Sequence, residues 1–334
     1  MNNELRKRII GVLKGGALGD AYGMPTEFWS YQKLKNKFPD GINEMMASLE
    51  NQFITRSLPQ GSITDDTINT LMILETIEKN KGVLEAEDYI QALTSWIENS
   101  ENAELVSGPS TLRAVRAIKN GLPMEKSGIG NTTNGAAMKI SPIGLISDYK
   151  NLEQLIENVH EICYPTHNTS IAVTGAAVVA ACISYVASGG QQINDLWELA
   201  LKTVEKSKGY GIDFPSPSLE FRIRYAREIV ERYQGEDAIE KLVFELGTGV
   251  ETIETIPAVL AIVQIAKGNP TKAARIGAGI GADTDTIASI AASICGGMNQ
   301  TFVEEDILLL ERVNSIDFEG LTDKILPYSP YYKG

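Results

Sequence analysis

Residues 281–297 read GADTDTIASIAASICGG: two carboxylates and two hydroxyls in four consecutive positions, then at once an apolar, alanine-rich helix. A helix with so little polar surface has to be buried. Side chains two apart on a helix point to different faces. Asp283 and Asp285 therefore converge on one point only if the chain passes from loop to helix between them. One reading is a helix cap, since Asp and Thr oxygens accept the free N–H groups of a helix start. One Asp suffices for that. The other reading is a hard-cation site for Mg2+, Mn2+ or Ca2+, which favour clustered oxygen ligands.

The same shape occurs a second time. Thr64, Asp65, Asp66 and Thr67 stand before a helical run, Ile68 to Asn80, and Ser62 or Thr64 could cap it. If the two helix starts face each other, at least four carboxylates and several hydroxyls meet at one point, enough for two cations about 3.5–4 Å apart. Helix N-termini carry partial positive charge that disfavours cations, and the carboxylates have to outweigh it. Glu27 follows the helix break at Gly23 and Pro25. Its position allows either a solvated surface glutamate or a metal ligand or general base.

The periodicity predicts helices nearly everywhere: 4–18, 68–80, 86–99, 111–119, 152–162, 170–187, 195–206, 218–233, 236–246, 256–267, 270–280, 285–297 and 303–312. No run alternates like a strand, so the expected class is all-α, with several nearly apolar helices requiring a multilayer bundle. Residues 29–60 read as irregular and polar, and 208–217 as an internal loop, so residues 1–334 are expected to form one domain. The apolar segment 171–187 is short and spotted with Gly, Ser and Thr, which predicts a buried helix rather than a membrane span.

The 334 residues carry a net charge of −13. That argues against broad nucleic-acid binding, which needs a basic footprint, but not against a nucleotide ligand held beside a metal. Cys163, Cys182 and Cys295 have no metal-ligand spacing and read as buried reduced thiols of a cytoplasmic protein. No signal peptide is indicated. His160 and His167 lack zinc-site spacing. The loop 127–135 could cradle a phosphate with backbone N–H groups from Gly128, Gly130 and Gly135, or be a plain glycine-rich turn.

Six blocks in order, GALGDAYGMPTEF (16–28), SITDDT (62–67), NGAAMKISPIGL (134–145), THNTSIAVTGAA (166–177), ETIPAVLAIV (254–263) and GADTDTIASIAASICGG (281–297), resemble the ADP-ribosylglycohydrolase family. The resemblance implies a single large orthogonal bundle of helices around a binuclear Mg2+ or Mn2+ centre. It implies that Thr64, Asp65, Asp66, Asp283, Asp285 and Thr286 ligate metal. Glu27, Asp65 and Asp285 would take part in catalysis. The 128–139 loop, with Gly128, Gly130, Asn131 and Asn134, would hold the diphosphate or distal ribose, and His167 would help line the ligand site. The implied reaction is hydrolysis of the glycosidic bond at the ribose anomeric carbon of an ADP-ribosylated protein or small molecule, releasing ADP-ribose. A metal-dependent N-glycosidase of free nucleosides, a non-catalytic ADP-ribose binder and a crystallin-like structural relative are the alternatives. Two positions depart from the family pattern: Ala282 where a second glycine is common, and Lys139 where Arg is common.

Overall fold

Gly11, Gly15, Gly19 and Gly23 recur every fourth residue and so form one stripe along the first helix, Asn2–Gly23. A Cβ at any of them would collide with backbone of the Thr284–Met298 helix, at Gly296, Ala292, Ala288 and Thr284 in turn. The two helices run antiparallel with backbones in direct contact, and this is the most extensive helix pair in the molecule. The close approach brings the C-terminal end of the first helix, and the Glu27 segment after it, against the Asp283–Thr286 turn.

This computed structural model describes residues 2–51, 53 and 57–333. Among them are eighteen α-helices and no β-strand, with only two isolated bridges, Thr133–Glu251 and Thr169–Ile212. The all-α expectation holds. The helix Ser170–Ser188 is long and apolar enough to cross a membrane by length and composition, but 89% of its apolar window is buried within the protein. It lies against the helices Ser141–Ile146, Leu152–Cys163, Ile193–Lys206, Thr252–Ala266 and Thr284–Met298. Thr169 caps its start through Ala172 N, and Gly189, at φ 106°, ends it in the left-handed conformation. Cys163, Cys182 and Cys295 are buried and unpaired.

Several elements differ from the sequence expectation: the first helix runs on to Gly23, and the short helices Ala103–Val106, Met124–Ser127 and Ser141–Ile146 are not among those expected. Residues 29–60 are not wholly irregular: Ser30 caps a helix, Tyr31–Lys37, whose single apolar pair, Tyr31 and Leu34, is too short to show a period. A further helix, Phe318–Ile325, follows the last one expected. The helix expected from 256 begins at Thr252 and contains Pro257. Proline cannot donate to the carbonyl four residues back. That carbonyl, on Ile253, instead accepts from Arg222 Nε at 2.6 Å, so the backbone group freed by the proline is satisfied from a neighbouring helix.

Candidate metal centre

The helix Asp65–Lys79 starts with Thr64 in the cap position, yet the Thr64 side chain does not cap it. Asp20 does so from the first helix. Its carboxylate accepts from Thr64 N (3.0 Å), Thr64 Oγ1 (2.8 Å), Thr67 N (3.1 Å) and Thr67 Oγ1 (2.6 Å). Asp65 and Asp66 are thereby released from capping. Asp65 Oδ2 accepts from Gly108 N at 3.1 Å. Asp66 Oδ2 accepts from Thr286 Oγ1 at 3.3 Å, a bond that joins the two acidic helix starts.

The second start behaves likewise. Asp283 occupies the cap position of Thr284–Met298 without capping it. Its Oδ2 accepts from Asn134 Nδ2, and Asn134 Nδ2 also donates to Thr255 Oγ1 at 2.7 Å. Thr284 Oγ1 turns back to donate to Gly23 O at 2.8 Å. Ala282 and Gly281 both have positive φ, 59° and 87°. This left-handed pair makes the turn between loop and helix that lets Asp283 and Asp285 converge. Phe28, also left-handed at φ 59°, donates its N–H to Ala282 O at 2.7 Å, and Ala282 N donates to Trp29 O at 2.8 Å. This two-bond pairing carries Glu27 to the cluster. Carboxylate oxygens of Glu27, Asp283 and Asp285 all lie within 4.8 Å of one another.

Thr64, Asp65, Asp66, Asp283, Asp285 and Thr286 are all buried, as are Asp20 and Glu27. Burial holds the Asp66 and Asp283 carboxyls well above the usual carboxylate range, and the Asp285 charge adds to it. Asp20 is pushed up to about 6, first by burial and then by Asp285, against the four hydrogen bonds it accepts. Asp66 Oδ1 is buried with no hydrogen-bond partner. Buried acceptors without donors are costly, and crowded carboxylates raise one another's proton affinity. Both features fit a divalent cation: it would complete the coordination of the orphan oxygen and offset the charge.

The loop residues divide into different jobs. Gly128 packs against the backbone of 164–168, where a side chain would collide, and its carbonyl accepts from Asn168 N at 2.9 Å. Gly130, at φ 81°, is an exposed tip. Asn131 is buried, accepting from Arg113 Nη2 and donating to Thr166 O at 2.6 Å. Asn134 alone of these reaches the acidic cluster. His167 lies beneath the loop, 1% exposed, with its ring nitrogens 3.0 Å from Thr166 Oγ1 and Thr133 Oγ1. Asp20 was not singled out from the sequence, although a carboxylate among the small residues of GALGDAYG is a signal, because buried helix faces exclude unpaired charge.

The profile of the family described as ADP-ribosylglycohydrolase matches residues 1–301. The chain belongs to the ADP-ribosylglycohydrolase family. A relative from Escherichia coli (strain K12), described as an uncharacterized protein YegU, is 31% identical, covering 96% of this chain and 97% of its own. ADP-ribosylhydrolase ARH3 of Xenopus tropicalis is 24% identical over 95% of this chain and 93% of its own. A solved structure titled ADP-ribosylglycohydrolase-related protein complex superposes with a TM-score of 0.73 over 98% of this chain and 99% of its own. At 20% identity that likeness speaks for the fold, the helical bundle of the family.

Proposed function

We propose that this ADP-ribosylglycohydrolase-family chain hydrolyses the glycosidic bond at the ribose anomeric carbon of an ADP-ribosylated protein or small molecule, releasing ADP-ribose with two divalent cations, Mg2+ or Mn2+. The observation that carries the reading is the cluster of Glu27 with Asp283 and Asp285, joined through the Thr286–Asp66 hydrogen bond to the second acidic helix start, where a buried Asp66 oxygen has no hydrogen-bond partner. Thr64, Asp65, Asp66, Asp283, Asp285 and Thr286 would hold the cations. When bound, divalent cations supply Lewis acidity at the ribose hydroxyls and the attacking water.

The chain's own groups do the rest. Glu27 takes or delivers the proton of the water or the leaving group. Asp65 and Asp285 lend negative charge to a ribose that becomes oxocarbenium-like at the transition state. Asp20 and Asn134 orient Thr64 and Asp283. Loop 128–135 faces the diphosphate part of the ligand with backbone donors.

The test is a hydrolysis panel of ADP-ribosyl-arginine, ADP-ribosyl-serine peptide, O-acetyl-ADP-ribose and several nucleosides, with and without Mg2+ or Mn2+, by wild type and Asp285→Ala. Metal-dependent release of ADP-ribose that the variant loses is the expected result, and it names the linkage. Turnover of nucleosides alone would move the substrate class, and binding of ADP-ribose without turnover would replace the enzyme with a binder.

A further inference from the structure

Among the described residues Lys139 is the largest fully buried charged side chain, at 1% exposure, and no carboxylate there lies within ion-pair distance of it, Asp65 acting on it only from further off. Its Nζ donates to Thr166 Oγ1 at 2.9 Å and sits 4.7 Å from the centre of the Tyr89 ring. Burying an ammonium on such terms is costly. Burial pushes its pKa down only to about 8, so the ammonium persists at neutral pH. A lysine ammonium has three donors and no acceptor. Thr166 Oγ1 must therefore accept from it.

Thr166 is fully buried, and among the described residues its hydroxyl has one other neighbour, His167 Nδ1 at 3.0 Å. The hydroxyl hydrogen has no acceptor but that nitrogen. If Nδ1 carried the ring proton instead, the buried hydroxyl hydrogen would be stranded, an arrangement native interiors avoid. His167 is held well below its ordinary pKa by burial, with the Lys139 and Arg113 charges adding, so the ring is neutral and carries one proton. That proton then sits on Nε2, facing Thr133 Oγ1 at 3.0 Å.

We infer that Lys139 sets the direction of a hydrogen-bond relay, Lys139 to Thr166 to His167 to Thr133, which leaves the Thr133 hydroxyl with a hydrogen to give to an acceptor oxygen of the ligand. Thr133 is partly exposed and has no other side-chain hydrogen-bond partner among the described residues. It is the neighbour of Asn134, which holds Asp283. The ligand part of this inference rests on the ADP-ribose reading above, and an anionic diphosphate oxygen suits a hydroxyl that accepts from His167 Nε2 and has its hydrogen free to donate. His167 and Lys139 are then positioning residues. They act through Thr133 and touch no ligand themselves.

His160 and His167 are the protein's two histidines, so 15N-imidazole correlation spectra of the metal-free protein at pH 7 contain two ring systems, assigned with a His160→Gln variant. The expected wild-type result is His167 with a protonated Nε2 and an acceptor Nδ1. Lys139→Met, which removes the positive charge that disfavours an N–H at Nδ1, should raise the Nδ1-protonated fraction, while Lys139→Arg keeps the wild-type pattern. A protonated Nδ1 in the wild type overturns the relay without any variant having to fold. So does an unchanged tautomer in a folded Lys139→Met. ADP-ribose titrated calorimetrically into wild type and Thr133→Val should bind the variant roughly three- to tenfold more weakly, the loss of one hydrogen bond. Equal affinity overturns the outward donor. If wild type shows the expected tautomer but binds no ADP-ribose, the relay stands and the ligand assignment falls.

Discussion

Asp20 Oδ2 lies 2.6 Å from Thr67 Oγ1 and 3.1 Å from Thr67 N, so one carboxylate on the first helix caps the helix that bears Asp65 and Asp66. Asp20→Ala strips the acceptor from two amides and two hydroxyls of Thr64 and Thr67, in a fully buried place. It also relieves repulsion from Asp285, but the stranded donors outweigh that. The expected loss is about 2–4 kcal/mol, read as a fall in melting temperature of about 3–6 °C, with weaker Mg2+ binding by calorimetry. An unchanged or raised melting temperature would show that relief of repulsion dominates.

The metal-free protein should lose stability as pH rises from about 4 toward neutrality. Asp20, Asp66 and Asp283 hold their protons more tightly folded than unfolded, because burial and neighbouring carboxylates disfavour the charged forms. Such groups favour the native state below their unfolded pKa, and the advantage is lost as pH climbs through the folded value; for Asp20 that is about 6. Mg2+ or Mn2+ should reverse the trend at pH 7. At a concentration about 100 times its Kd it adds about 2.7 kcal/mol, or about 4 °C. Melting curves with and without chelator at pH 4.5 and 7 check both signs. A chelated sample more stable at pH 7 than at 4.5 would contradict the first.

Glu27→Gln keeps the shape of the side chain and removes its capacity to take a proton. Turnover should fall about 10²- to 10⁴-fold, while the fold, read by melting temperature, stays within about 1 °C. Full turnover in the variant would take Glu27 out of the chemistry.

Gly19→Ala tests the helix contact that positions the site. The new methyl would meet the Ala288 carbonyl and the Ser289 amide, backbone atoms that cannot swing aside. Overpacking of this kind costs about 1–3 kcal/mol, and since it pries the Asp283–Thr286 turn away from the Glu27 segment, metal affinity should drop with stability. Gly279→Ala, where nothing lies within 4 Å, is the control.

Ala282→Gly should stabilise. Ala282 sits at φ 59°, a conformation that costs an L-residue about 1–2 kcal/mol and glycine little. Part of the gain is lost to the extra freedom of an unfolded glycine, leaving a rise of about 1–2 °C in melting temperature.

Much of this protein is determined by local sequence. Hydrophobic period alone places the long helices, because a buried helix face must repeat every three to four residues, and it misses the short ones, Tyr31–Lys37, Ala103–Val106, Met124–Ser127, Ser141–Ile146 and Phe318–Ile325, which are too brief to show a period. The doubled pattern of hydroxyls and paired carboxylates at 64–67 and 283–286 marks both halves of the candidate site, because capping needs fewer acids than stand there. Partnership was decided only by the tertiary structure. The cap of the Asp65–Lys79 helix comes from Asp20, 44 positions away. Asn134 Nδ2 reaches Asp283 across 149 positions. Glu27 arrives through backbone pairing of Phe28 and Trp29 with Ala282. A hydrogen bond depends on which groups are brought within 3 Å, and that is set by helix packing, here by a glycine stripe whose register against 284–298 no single segment contains. The same reason applies to His167: its Nδ1 partner Thr166 stands beside it in sequence, but the Lys139 ammonium that donates to that hydroxyl comes from 27 positions away.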